Sequence, residues 1–202
     1  MSASQAAVTF VSVADDLSNV STTSNITTDR KNNDNLWAQR DGYGEGSVTI
    51  LEGWDVNENV PVLTLTLSDL TVGQTYDVYV NYIRFTSNNN PRGGIRGSLD
   101  GTSFSTFNGA GGTEGTVGFA EETGHTANGD QVGLRGYLGT AIADGSGQIQ
   151  IFVDDDGLDG GIEERVWFDG ASYEASYEAI PEPSAVALLA LGGVALTLRR
   201  RK

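Results

Sequence analysis

The 202-residue sequence contains no cysteine and a single histidine, His125. Without thiols there is no disulfide framework, no thiolate nucleophile and no cysteine-ligated metal. One imidazole is too few for multi-histidine zinc or iron sites. Positive charge is also scarce: 12 Lys and Arg stand against 27 Asp and Glu, a net charge of −15. No basic patch is available to neutralise phosphates, which excludes nucleic acid as a partner. Proline is rare, with four residues, whereas glycine is abundant, with 27. A chain of this length is expected to form one domain with a sizeable core.

The little positive charge is concentrated. Arg199, Arg200, Arg201 and Lys202 hold a third of it, and residues 1–180 carry 8 basic against 26 acidic groups, a net of −18. The chain therefore divides into an acidic, Gly-rich body, expected as one domain over 5–178, and a short apolar-then-basic tail over 181–202.

In the body, apolar and polar residues alternate as they do in strands. Leu63, Leu65 and Leu67 face one way and Thr64 and Thr66 the other; Tyr76, Val78, Val80 and Tyr82 share one face of the run 76–85. Leu70, between these runs, is expected to tuck under the core. Further β-rich runs lie at 8–13, 48–51, 148–153 and 165–174, with weaker ones at 94–99, 103–107 and 131–138. The stretch 108–130 reads as the longest loop. No helical period with caps is visible in the body. Short strands separated by Gly, Asn and Asp point to an all-β, jelly-roll-like β-sandwich, followed by a short C-terminal hydrophobic helix.

The tail begins Pro181-Glu182-Pro183, which breaks a strand and favours the start of a helix. Residues 184–198 carry no charge, and Ala185, Val186, Leu188, Leu189, Leu191, Val194, Leu196 and Leu198 form an apolar run. As a helix, 185–198 spans roughly 21 Å against a hydrocarbon core of ~30 Å, so the terminal Arg side chains would snorkel. The basic end belongs on the cytoplasmic side and the acidic body outside.

Pro181-Glu182-Pro183, the apolar run and the basic terminus resemble the PEP-CTERM sorting signal in order and spacing. The resemblance covers about 22 residues. It implies export across the inner membrane of a Gram-negative, exopolysaccharide-producing bacterium, transient anchoring there, and processing by an exosortase. The destination it implies is the cell surface or a biofilm matrix. By analogy Pro181, Glu182 and Pro183 are the recognition residues and Arg199 to Lys202 hold the tail. Nothing about the body's activity carries over. Export also calls for a signal peptide, whose basic and apolar regions Met1 to Ala7 lack; the expectation is a signal trimmed away or encoded upstream.

Chemistry in the body is thin. Asp154, Asp156, Asp159 and Glu163 surround Gly157 and supply the hard oxygens Ca²⁺ needs, although the spacing does not fit an EF-hand. The alternative is a solvated acidic turn. Trp37, Tyr43 and Trp54 are candidates for stacking on sugar rings, with Trp37, in a polar stretch, the best surface candidate. Tyr137 and Trp167 are further aromatics, Trp167 reading mainly as sandwich core. The stretch 166–173 resembles the last strand of galactose-binding-like jelly rolls. His125, in a Gly-rich stretch with no nucleophile-elbow signature, reads as an exposed loop residue. The expectation is a non-catalytic, exported surface or matrix protein with a structural or glycan-associating role and exopolysaccharide as a partner. The alternative is a secreted carbohydrate-active hydrolase, since two carboxylates are all a glycosidase requires.

Overall fold

Side-chain alternation with period two becomes a buried and an outer face once strands pair. The computed structural model of the chain describes residues 7–13, 17–29, 31, 34–53, 59–85, 93–127, 131–155 and 165–176. Among these, twelve strands form: β1 Thr9–Ser12, β2 Val20–Thr22, β3 Ala38–Arg40, β4 Ile50–Gly53, β5 Leu63–Leu67 and β6 Thr75–Phe85. They are followed by β7 Ile95–Ser98, β8 Ser105–Phe107, β9 Ala120–Ala127, β10 Gln131–Ile142, β11 Ile149–Asp154 and β12 Val166–Ala175. The expected apolar tail helix lies outside the described residues.

Two antiparallel sheets face each other. The larger has the order β3-β4-β12-β6-β10-β9, with β1 paired to β12, and the smaller the order β2-β5-β11-β7-β8. The quartets β4-β12-β6-β10 and β5-β11-β7-β8 make the two halves of a jelly roll, as the alternation foretold. Leu63, Leu65 and Leu67 of β5 and Val78, Val80 and Tyr82 of β6 meet in one core, with Leu70 tucked against it.

Two expectations are corrected here. The stretch 108–130 is not one loop, because 120–127 forms β9 and pairs with β10. Trp37 is fully buried in the core, its Nε1 donating to the carbonyl of Pro61 at 2.8 Å. Its sequence neighbours are polar because β3 is a three-residue edge strand entered through a turn, in which the Leu36 N–H bonds Asp34 Oδ1.

The long central strand β6 turns its other residues, Asp77, Tyr79, Asn81 and Ile83, to the outer side of the large sheet. On β12 the register shifts between Phe168 and Gly170, which makes Asp169 the extra residue of a bulge. Gly170 has φ +142°, and a Cβ there would lie 2.1 Å from the carbonyl oxygen of Val11, so only glycine lets β1 close against β12.

Candidate functional site

The outer face of the large sheet carries polar and aromatic groups rather than the Thr and Gln expected of a solvated surface. At its β3–β4 end lies a closed cluster. Trp167 is 1 % exposed, and its Nε1 donates to Glu52 Oε1 at 2.7 Å. Arg40 Nη1 donates to the same oxygen at 3.1 Å, and Nη2 to the Tyr43 hydroxyl at 2.9 Å. The Arg40 guanidinium carbon sits 4.1 Å from the Tyr43 ring centre and 4.3 Å from that of Trp167. Tyr43 meets Trp167 edge-on at 5.0 Å. Glu52 is fully buried, so these partners satisfy a charge that would otherwise be costly.

From Tyr43 onward, the loop 41–49 folds across the sheet. The Glu45 N–H donates to Asp169 Oδ2 at 3.0 Å, and His125 Nε2 lies 2.9 Å from the Tyr43 carbonyl oxygen. The loop is thus fastened to β12 on one side and β9 on the other. Gly44 permits the closeness, since a Cβ there would meet Asp169 Oδ1 at 2.4 Å. Burial pushes the Asp169 carboxyl up to about 6, against the Glu45 N–H and His125, which favour its ionised form.

Beyond the loop a cleft of about 200 Å³ opens, lined by Phe10, Glu45, Asn81, Thr123, Arg135 and Ser172 among others. Asn81 and Ser172 are 2 % and 1 % exposed, and Ser172 Oγ donates to Asn81 Oδ1 at 2.8 Å. Arg135 is paired with Glu121 and lies 5.2 Å from the Tyr79 ring centre. Past it, Tyr79 donates to Glu174 and Tyr137 to Asp77, each at 3.0 Å. Burial, reinforced by Asp77, pushes the Tyr137 hydroxyl up to about 12.

The sequence-derived candidates distribute unevenly over this geometry. Trp37 is in the core and Tyr43 is on the outer face but committed to Arg40 and Trp167. Tyr137 packs against Tyr79 with tilted rings, centres 5.4 Å apart, and is buried. His125 is a strand residue holding the loop, not an exposed loop side chain. Asp154 closes β11 in an ion pair with Arg96 at 3.2 Å. Trp54, Asp156, Asp159 and Glu163 lie outside the described residues, as do Pro181, Glu182, Pro183, the apolar run and the basic end. Among the described residues no three acidic or histidine side chains are grouped to hold a metal ion. The cleft residues Phe10, Asn81, Arg135 and Ser172 were not singled out from the sequence. The available signal was Asn81, an amide in the middle of the most apolar run.

Compared with protein families, residues 179–202 match the PEP-CTERM protein-sorting motif. No curated protein matches the chain. The chain therefore carries the sorting signal that its Pro-Glu-Pro, apolar and basic segments resemble, and it is an exported protein sorted through an exosortase.

Proposed function

We propose that the body of this sorted protein is a non-catalytic module of the cell surface or extracellular matrix that associates with exopolysaccharide. Before processing, the apolar run 184–198 holds the chain in the inner membrane with Arg199 to Lys202 inside. The exosortase then acts at Pro181-Glu182-Pro183 and releases a body that is more acidic than the whole chain.

The observation that carries the glycan reading is the cleft on the large sheet. An amide, a guanidinium, two hydroxyls and two carboxylates converge there beside an aromatic ring, which is the equipment for reading vicinal hydroxyls. Expression in an exosortase-containing host tests the reading. The wild-type chain is expected in the exopolysaccharide fraction, and a Pro181→Ala, Glu182→Ala double variant is expected to stay with the membrane. Wild-type chain that washes free of exopolysaccharide would count against the glycan role, and equal release of the double variant against the sorting step.

One observation favours a second reading. Glu45 and Glu122 both line the cleft, and two carboxylates across a sugar site are what a glycosidase uses. New reducing ends in polysaccharide incubated with the wild-type chain, absent with Glu45→Gln, would establish hydrolysis.

A further inference from the structure

The geometry points to the cleft between β1, β6, β9, β10, β12 and the 41–49 loop as a binding site for one uncharged sugar ring, a hexose unit and not a uronate. This rests on the glycan-associating reading of the body. The floor is a built polar surface. Ser172 Oγ takes Asn81 Oδ1 and so fixes the orientation of the carboxamide. The Asn81 side chain is nearly fully buried and lines the cleft, so with its oxygen engaged it is the amide N–H group that serves a ligand there. For these amide donors a sugar hydroxyl oxygen is the acceptor that fits.

Size and charge narrow the ligand. The cleft volume of about 200 Å³ is smaller than that of sites for drug-sized ligands, ~300 Å³ and above, and suits a single ring. Its charged lining is Glu45, Glu122 and Arg135, and the Arg135 guanidinium is already engaged by Glu121. The net wall is negative, which repels a carboxylated sugar. Phe10 stands directly opposite Ser172 in the β1–β12 register, so its ring rises beside the polar floor and offers an apolar surface to the C–H face of a hexose.

Affinity electrophoresis of the full chain tests the site, in gels carrying a neutral β-glucan, a galactomannan or alginate. Asn81→Ala and Phe10→Ala are run beside the wild type, with a melting curve for each. The wild type is expected to be retarded by at least one neutral polymer and not by alginate, and each variant to weaken that retardation tenfold or more. Should Asn81→Ala melt below the running temperature, Phe10→Ala, on a partly exposed strand, carries the test. Folded variants retarded like the wild type would overturn the cleft as the site while leaving glycan association standing. No retardation by any polymer would overturn both, and stronger retardation by alginate would overturn the uncharged-ring assignment.

Discussion

Asp169 is held in a position that suits a neutral side chain. Its Oδ2 accepts the Glu45 N–H, while Oδ1 is buried with no partner among the described residues. With the carboxyl pushed from 3.8 to about 6, the folded chain binds this proton more tightly than the unfolded chain. The stability the group withholds at neutral pH is regained as pH falls from about 6 to about 4. A shift of this size corresponds to ~3 kcal/mol at most. Asp169→Asn is expected to raise the unfolding free energy near neutral pH by up to ~3 kcal/mol and to change it little at about pH 4, read by urea titration at both. Equal effects at both would assign the change to packing and not to charge. Arg40 poses the opposite case, because removing it takes a cationic partner away from the buried Glu52. Arg40→Met is expected to cost about 3–5 kcal/mol. Adding Glu52→Gln, which keeps an acceptor for Trp167, is expected to recover at least half, as measured by chemical denaturation.

At the scale of elements, the outcome depends on whether a strand turns one whole face to the core. The Leu63–Leu67 strand announces itself because burial alternates along its whole length. Thr75–Phe85 does so because Tyr76, Val78, Val80 and Tyr82 fall at every second position against the core. β9 does not, because as an edge strand its residues between Ala120 and Ala127 are exposed or half-buried, so its sequence keeps no apolar face. Trp37 and His125 depart from expectation for another reason. Each takes its role from a partner distant in sequence, Pro61 for one and Tyr43 for the other. The cleft was illegible because it is assembled from five strands and a loop, and only Asn81 left a local trace. The β1–β12 junction gives a prediction of its own. Gly170→Ala would combine a positive φ with a clash against Val11 and is expected to cost at least ~2 kcal/mol. Hydrogen exchange should show β1 amides losing protection before those of β6; uniform loss would contradict a local role for the glycine.

For the molecule as a whole, charge is the property in which the body and the entire chain differ most. The intact chain carries −15, whereas residues 1–180 alone carry −18. Charge of one sign at this density destabilises the compact state by self-repulsion, which salt screens. Melting temperature is therefore expected to rise with NaCl between roughly 0.01 and 0.5 M, where the Debye length falls well below the separations between surface charges. A flat profile would mean that ion pairs such as Arg96–Asp154 and Arg135–Glu121 offset the excess. On the proposed reading, a body released from its basic tail is strongly acidic and keeps away from anionic lipid and nucleic acid. Attachment then falls, on that reading, to the cleft of the large sheet, whose negative wall suits an uncharged sugar.

On the proposed function, this exported body holds polysaccharide without cutting it. Isothermal titration of the full chain with a soluble neutral polysaccharide, counting reducing ends in the same cell afterwards, tests it most directly. Saturable heat with no new reducing ends is the predicted result; no heat with any polymer, or reducing ends that accumulate with time, would contradict it.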